Sequence, residues 1–105
     1  MFICGQNKLR SPTAEHVFAS WPGVETASAG LKHEAEVPVC PELLAWADVI
    51  FVTERSHRAK LAQGFRKHLS GKRVICLEVP DKFSYMQPEL VSLLEARVAP
   101  HLPAK

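Results

Sequence analysis

The sequence lacks several features that mark common classes of protein. Its 105 residues include only three cysteines, Cys4, Cys40 and Cys76, and no two of them are close in sequence. An odd number of isolated cysteines argues against a disulfide framework and against a C-x2-C metal site, and it favours a reducing compartment. No signal peptide is recognisable, and no apolar run approaches the roughly 20 residues that a membrane span needs. We therefore expect a soluble cytoplasmic protein without a membrane partner.

Acidic residues are absent from one long segment. Between Arg55 and Arg73 there are seven Lys or Arg residues and two His, but no Asp or Glu. The net charge of +2 is too small to indicate nucleic-acid binding. The basic segment is most simply a solvated helix face, although binding of a nucleotide or nucleic-acid phosphate stays open. A chain of this length and 47% apolar content predicts one domain, residues 1–105, with one modest core.

Short apolar runs alternate with helical patterns along the chain. The predicted strands cover residues 2–4, 24–29, 49–52 and 74–77, and the predicted helices cover 12–20, 41–47, 55–69 and 88–99. Either the first strand is very short or the natural start lies upstream of Met1. In the third helix, Ala62, Phe65 and Leu69 are expected to face inward and the basic residues outward. This βαβαβαβα order predicts an α/β fold with a parallel sheet, right-handed crossovers and a ligand site at the carboxyl ends of the strands.

The stretch from Cys4 to Ser11 has the layout of a phosphate-binding loop. A short apolar run ends in a cysteine, an arginine follows at the sixth position after it, and Ser11-Pro12 opens a predicted helix. A tight loop that runs into a helix presents backbone N–H groups and the positive end of the helix dipole to an anion. Gly5 eases the loop backbone, and the planar fork of Arg10 matches two phosphate oxygens. The same donors stabilise a thiolate at Cys4, which would attack phosphorus.

Phosphoryl transfer to and from Cys4 also needs a group that first gives and then accepts a proton. Asp81 is the best candidate, because it follows the fourth predicted strand and so lies at the same edge of the sheet as the cysteine. Glu54 follows the third strand and is the second choice. Within the loop, Ser11 is expected to donate a hydrogen bond to the cysteine sulfur, and Asn7 to brace the loop backbone.

These residues resemble a known family. The stretch FICGQNKLRSPTAE, residues 2–15, resembles the V-C-x-G-N-x-C-R-S-P-x-A-E signature of low-molecular-weight protein tyrosine phosphatases. Residues 27–30, ASAG, and 47–52, ADVIFV, are similar to the family's second and third strand regions. The sequence VPD at 79–81 falls where the family carries its general-acid aspartate. The loop is the most specific part of this resemblance.

The resemblance implies a flavodoxin-like α/β/α fold with a four-stranded parallel sheet of order 2-1-3-4. It implies that Cys4 is the nucleophile of a phosphocysteine mechanism, Arg10 binds the phosphate, Ser11 stabilises the thiolate and Asp81 is the general acid. It implies no metal or organic cofactor. The substrate would be a phosphotyrosine protein or a small aryl or nucleotide phosphate. The other loop residues, which would bind the substrate phosphate, are Gly5, Gln6, Asn7, Lys8 and Leu9.

The sequence departs from the family pattern at several places. Gln6 stands at the family's glycine position, Leu9 replaces a second cysteine and Lys82 replaces the proline after the aspartate. The chain is about a third shorter than typical members, and only sixteen residues separate Gly30 from Ala47. These departures predict a shallower, more open site, so phosphoryl chemistry is better supported than a preference for phosphotyrosine.

Two other functions fit the same loop. An arsenate reductase would need a resolving cysteine within reach of Cys4, and only Cys40 and Cys76 are available. A non-catalytic anion-binding module would need the loop but neither the nucleophile nor the acid. The sequence does not specify an oligomeric state.

Overall fold

The computed structural model describes residues 1–103. It contains four strands, four α-helices and two short 3-10 helices. None of the helices within residues 1–103 is long and apolar enough to cross a membrane. The elements in chain order are β1 (Phe2–Cys4), α1 (Arg10–Phe18), β2 (Ser28–Gly30), α2 (Pro41–Trp46), β3 (Val49–Val52), α3 (Arg55–Phe65), a 3-10 turn (Arg66–His68), β4 (Arg73–Cys76), α4 (Pro88–Val98) and a second 3-10 turn (Ala99–His101).

The four strands form one parallel sheet of order β2-β1-β3-β4. Cys4 pairs with Gly30 of β2, while Ile3 pairs with Val52 of β3, which in turn pairs with Cys76 of β4. The sheet order and the α/β alternation confirm the predicted fold. The order reverses at β1, because β2 lies on one side of it and β3 on the other. The loop after β1 therefore lies at the point where such sheets bind ligands.

Several predicted boundaries were wrong. Helix α1 begins at Arg10, two residues before Pro12, which falls in the first turn where its missing N–H needs no acceptor. Strand β2 was predicted over residues 24–29, but it covers only Ser28–Gly30. Of the earlier residues, Ala27 accepts a hydrogen bond from the N–H of Phe2 in β1 at 2.9 Å, but the strand pairing itself begins only at Ser28.

The sheet separates two cores. Successive side chains of a strand point to opposite faces. Phe2 and Phe51 therefore stack on one face with ring centroids 5.3 Å apart, and Phe18 of α1 packs 5.8 Å from Phe2. Helix α4 covers this face through Leu90 and Leu94. The opposite core is built from β1, β3, α2 and α3, with the buried side chains of Ile3, Leu44, Ile50, Val52 and Leu61.

Helix α3 packs through a face next to the one that the sequence suggested. His57 and Leu61 are buried, whereas Ala62 is exposed. Phe65 is half-buried against the same core. The buried positions follow an i, i+4, i+8 spacing that begins at a histidine, and Leu69 packs against the same core as predicted. The helix therefore turns one titratable side chain toward the sheet edge.

Candidate functional site

The loop between β1 and α1 is held through its carbonyl groups. Lys32 N–H donates to the oxygen of Gly5 at 2.9 Å, and Glu36 N–H donates to the oxygen of Gln6 at 3.2 Å. Within residues 1–103, the backbone N–H groups of residues 5–9 donate to no protein acceptor. Successive backbone N–H groups that have no protein acceptor can bind an anion, and here the carbonyl groups of the same loop are already hydrogen-bonded to the segment after β2. The segment after β2 thus supports an anion-binding loop from behind.

Gly30 makes this close approach of two backbones possible. A side-chain carbon placed at Gly30 would lie 2.6 Å from Cβ of Ala35, 2.7 Å from the Gly5 oxygen and 2.9 Å from the Asn7 nitrogen. Distances under about 3 Å to backbone atoms leave no room for any Cβ. Only glycine therefore lets the loop lie against the end of β2.

Two buried polar side chains lie beneath the loop beside the cysteine. Ser11 Oγ is 3.0 Å from Cys4 Sγ and 3.0 Å from Oδ1 of Asn7. Asn7 has a φ of 56°, a left-handed conformation that asparagine tolerates better than most residues. The expected bracing role of Asn7 therefore takes another form: its amide oxygen bonds the serine hydroxyl, and its backbone makes the turn of the loop. The serine hydroxyl has one proton, which it can donate either to Asn7 Oδ1 or to the Cys4 sulfur, since both atoms lie 3.0 Å away.

Arg10 lies at the base of the cleft and is 5% exposed. Its Nη1 donates to Glu54 Oε2 at 2.6 Å and to the backbone oxygen of Val79 at 2.9 Å. Its Nη2 lies 3.8 Å from the carboxylate of Asp81. Because one nitrogen serves two acceptors from different loops, the plane of the guanidinium is fixed. The two acidic candidates from the sequence thus meet at the same arginine.

The environment makes Glu54 an ionised carboxylate. It directly precedes α3, and its side chain is 40% exposed. The hydrogen bond from Arg10 lowers the pKa of Glu54, and the charges of Arg10 and His57 act in the same direction. A carboxyl group whose pKa is lowered holds its proton poorly at neutral pH. Glu54 is therefore suited to balance the charge of the arginine rather than to donate a proton.

His57 lies behind the first residue of the loop. Its Nδ1 is 3.0 Å from Oγ1 of Thr53, and its Nε2 is 3.8 Å from Glu54 Oε2. A side-chain carbon at Gly5 would lie 3.8 Å from the same Nε2. Burial lowers the pKa of His57 and outweighs the nearby Glu54 carboxylate, which raises it; the charges of Arg10 and Lys60 add to the lowering. The ring is therefore neutral at pH 7 and fills the space between the loop and α3.

Asp81 lies on a loop that is fixed by main-chain hydrogen bonds. Val79 N–H donates to the oxygen of Thr53 at 2.9 Å, and Met86 N–H donates to Thr13 Oγ1 at 3.0 Å. The Asp81 side chain itself is 65% exposed. The loop therefore holds an accessible carboxylate 3.8 Å from the Arg10 guanidinium.

These groups surround an open cleft of about 450 Å³. Lysine side chains from three elements contribute to its walls: Lys8 from the loop, Lys32 from the segment after β2 and Lys60 from α3. No Phe, Tyr or Trp of residues 1–103 lines it. Phe83 packs into the core beside α4, and Tyr85 is 50% exposed outside the cleft. The cleft is therefore polar and cationic.

The structure brings most of the predicted site residues to this cleft. Asn7 and Ser11 lie beneath it as buried supports. Four lining residues were missed as site residues: Lys32, Ser56, His57 and Lys60. The i, i+4 spacing of His57 and Leu61 could have marked that histidine as inward-facing, but no local signal identifies Lys32. The predicted residues that line the cleft are Cys4, Gly5, Gln6, Lys8, Leu9, Arg10, Glu54 and Asp81.

The arrangement has charge and hydrogen-bond donors for an anion but no cluster for a metal. Within residues 1–103, no group of three or more His, Cys, Asp or Glu side chains is placed to hold a metal ion. The three cysteines are free thiols. Chemically, the cleft can bind a tetrahedral anion against the loop, with a sulfur atom at the start of the loop and a carboxylate at the rim.

Comparison with known proteins gives a clear result for structures and none for sequences. No protein-family model and no curated protein matches this sequence. The tyrosine phosphatase Wzb from Escherichia coli K30, solved with phosphate, is similar with a TM-score of 0.75 and 19% identity, covering 95% of this chain and 92% of that one. Wzb from Vibrio vulnificus, solved with benzylphosphonate, has a TM-score of 0.77 and 18% identity, covering 95% and 93%.

An arginine phosphatase has the same fold. YwlE from Geobacillus stearothermophilus aligns with a TM-score of 0.70 and 17% identity, covering 99% of this chain and 97% of that one. Sequence identities this low show that the fold is shared, but they do not show that the substrate is. The chain has the fold of the low-molecular-weight tyrosine phosphatases, which confirms at the level of fold the resemblance seen in the loop sequence.

Proposed function

We propose that this chain is a phosphomonoesterase that works through a phosphocysteine intermediate. The observation that carries the proposal is the surroundings of one sulfur atom: Ser11 Oγ lies 3.0 Å from Cys4 Sγ, at the start of a loop whose N–H groups at residues 5–9 have no protein acceptor within residues 1–103. Arg10 closes that loop with its guanidinium plane held by two acceptors. The phosphatases that share the fold support the same chemistry.

In the first step, the substrate phosphate binds against the loop and the guanidinium of Arg10. The Cys4 thiolate attacks phosphorus, so that a P–S bond forms as the P–O ester bond breaks. Before attack, the Ser11 hydroxyl turns from Asn7 Oδ1 and donates its one hydrogen bond to the thiolate. The carboxyl group of Asp81 gives its proton to the departing oxygen, and the alcohol or phenol leaves.

In the second step, the Asp81 carboxylate takes a proton from a water molecule. The water oxygen attacks phosphorus, and the P–S bond breaks to release inorganic phosphate and the Cys4 thiolate. The loop N–H groups and Arg10 hold the same three phosphate oxygens through both steps, so one site stabilises both transition states.

The assignment of the proton donor to Asp81 rests on the different surroundings of two carboxylates. Arg10 lowers the pKa of Glu54 through a direct hydrogen bond, which favours the ionised form. Asp81 is 3.8 Å from the same arginine and largely exposed at the rim. An exposed carboxyl above the phosphate can reach both the leaving oxygen and the incoming water, whereas Glu54 is held against Nη1.

The positions of the other cysteines favour hydrolysis over arsenate reduction. Cys4 is on β1 and Cys76 is on β4, with β3 between them. Ile3, the neighbour of Cys4, and Cys76 are paired to the same residue of β3, so their Cα atoms are two strand spacings, or about 9.5 Å, apart. Cys40 follows Pro38, which pairs with Gly30 on the side away from Cys4. A disulfide needs Cα atoms closer than about 7 Å. Neither cysteine could resolve an intermediate on Cys4 without a large rearrangement.

The test is hydrolysis of 4-nitrophenyl phosphate by wild-type protein and two cysteine variants. Cys4→Ser should lose roughly 10⁴-fold or more in turnover, since the nucleophile is removed. It should still bind inorganic phosphate, which would raise its melting temperature. Cys76→Ser is the matched control and should keep wild-type activity. Rapid quenching followed by mass analysis should find a phosphoryl group on the peptide that contains Cys4.

Equal turnover by Cys4→Ser and wild type would end the phosphocysteine mechanism. Phosphate binding without any hydrolysis that depends on Cys4 would instead favour a non-catalytic anion-binding module. Reduction of arsenate that depends on both Cys4 and a second cysteine would favour the reductase. The three outcomes can be told apart: the first releases 4-nitrophenol without needing Cys4, the second releases no product, and the third forms arsenite.

A further inference from the structure

Three lysines converge on the cleft without acidic partners. The four ion pairs within residues 1–103 involve Arg10, Arg55 and His57 but no lysine. Lys8 and Lys60 are exposed, as is Lys32, and all three line the same cleft. Unpaired ammonium groups around one concavity raise the local concentration of anions.

Two of these lysines lie on elements that pack beside the loop after β1. The N–H of Lys32 is bonded to the oxygen of Gly5 at 2.9 Å, and its Cε lies 3.9 Å from the point where a Gly5 side chain would begin. Lys60 follows His57 by one turn of α3, on the side of the helix that lines the cleft. The third, Lys8, belongs to the anion-binding loop itself. The three lysines therefore reach one cleft from three different elements.

The walls of the cleft offer little to an aromatic ring. Among its lining residues, Leu9 is the one large apolar side chain, and it is 37% exposed. Aryl groups bind best between apolar or aromatic surfaces. The lysines would raise the affinity for a substrate with a second negative charge, whereas a bare phenyl ring would find only Leu9 as an apolar contact. A cationic leaving group such as a guanidinium would be repelled.

We propose that the substrate of this cleft is a phosphomonoester that carries a second anionic group, a carboxylate or another phosphate, which Lys8, Lys32 and Lys60 recognise. This inference rests on the proposed phosphatase function and adds the substrate class. The second anionic group could belong to a small bisphosphorylated or carboxylated metabolite, or to acidic residues beside a phosphorylated side chain. Both sources present the same chemistry to the lysines.

The experiment compares phenyl phosphate with 3-carboxyphenyl phosphate, two substrates with the same leaving atom and different charge. Wild-type protein should prefer the carboxylated compound by roughly tenfold in kcat/KM at low ionic strength, as expected for two or three exposed charge pairs. The preference should shrink in about 0.5 M salt, because exposed charges are screened. In the double variant Lys32→Gln with Lys60→Gln, the ratio of the two kcat/KM values should fall toward one. Lys67→Gln removes one exposed charge outside the cleft and should keep the wild-type ratio.

A second pair of substrates identifies the source of the charge. A phosphotyrosine peptide flanked by glutamates is compared with the same peptide flanked by glutamines. A preference in the small-molecule pair alone points to a metabolite, and a preference in the peptide pair as well points to an acidic sequence. Equal kcat/KM values within both pairs for wild type, or a preference that survives the double variant, would overturn the proposal.

Binding keeps this test separate from the test of catalysis. Phenylphosphonate and 3-carboxyphenylphosphonate cannot be hydrolysed, and calorimetry measures their affinities for wild type and the double variant. If no hydrolysis depends on Cys4 but the carboxylated phosphonate still binds more tightly through the lysines, then the catalytic proposal fails and the recognition proposal holds. If hydrolysis depends on Cys4 but both phosphonates bind equally in wild type and variant, then the catalytic proposal holds and the recognition proposal fails.

Discussion

Two loops meet at Arg10, and they are built in different ways. The loop after β1 rests on buried groups, with Asn7 and Ser11 beneath it and Gly30 against its backbone. The loop after β4 carries Asp81 at its surface, with a side chain that is 65% exposed. Its anchors are main-chain hydrogen bonds at its two ends.

This difference separates the two tasks of the proposed reaction. Anion binding needs many donors in one fixed geometry, and buried packing supplies that. Proton transfer needs a carboxyl group that reaches the leaving oxygen and then water, and an exposed position supplies that. Substitutions in the first loop should therefore change both stability and activity, whereas substitutions in the second should change activity alone.

The largest expected effect is at the arginine that joins the two loops. Arg10→Lys should lower kcat/KM about 10³-fold, because one ammonium group cannot hold Glu54, Val79 and a phosphate in one plane. Arg55→Lys is the matched control, since its pair with Glu78 is exposed on both sides. Steady-state kinetics with an aryl phosphate checks both variants, and similar rates for the two would remove Arg10 from the mechanism.

A smaller loss is expected at the acid. Asp81→Asn should lower kcat about 100-fold for phenyl phosphate and less for 4-nitrophenyl phosphate, whose leaving group needs less protonation. Its urea midpoint should match that of wild type, because the side chain is exposed. Glu54→Gln is the comparison: if it, and not the Asp81 variant, shows this dependence on the leaving group, then Glu54 is the acid.

The support beneath the first loop should matter mainly for stability. In Gly30→Ala, the added carbon meets backbone atoms at 2.7 and 2.9 Å, so overpacking should cost about 2 kcal/mol of unfolding free energy. In Gly64→Ala, nothing lies within 4 Å of the added carbon, and the position is inside α3. That variant should gain roughly 0.5–1 kcal/mol from helix propensity. Urea titration measures both, and two variants of equal stability would refute the close approach at Gly30.

The smallest expected effect is a dependence of stability on pH through His57. Its pKa is lowered by burial, so below pH about 6.5 the unfolded chain takes up this proton more readily than the folded one. Folding stability should therefore fall as the pH drops from about 7 towards the lowered pKa. His57→Gln should flatten that slope, and His16→Gln, at an exposed position on α1, should not. Urea midpoints at pH 7.5 and 5.5 compare the three proteins, and an equal dependence on pH in all three would contradict a buried neutral ring.

Much of the fold could be predicted because its signals are local. The apolar runs at residues 49–52 and 74–77 lie in or next to the strands observed at Val49–Val52 and Arg73–Cys76. Strand β2 lies at the edge of the sheet, as the implied order 2-1-3-4 predicted. Its predicted bounds, residues 24–29, were wrong, because alternation of side chains does not show where pairing with a neighbour strand begins or ends. Phe65 and Leu69 face the core as predicted, whereas Ala62 is exposed and the burial of His57 was not predicted. Its burial depends on the loop that packs over it.

The candidate site divides in the same way. Cys4, Arg10 and Ser11 lie within one stretch of eight residues. The distance between them along the chain is so short that the sequence alone places them in one loop and the start of one helix. The partners of that arginine are 44 and 69 residues away, and the contact between Gly5 and Lys32 crosses from one strand end to another. Such contacts depend on strand order, burial and side-chain direction, which no local pattern encodes. The spacing of the candidate loop was therefore readable in the chain, and the sequence already ranked Asp81 above Glu54. The different surroundings of these two carboxylates and the three lysines of the cleft depend on how the strands pack side by side.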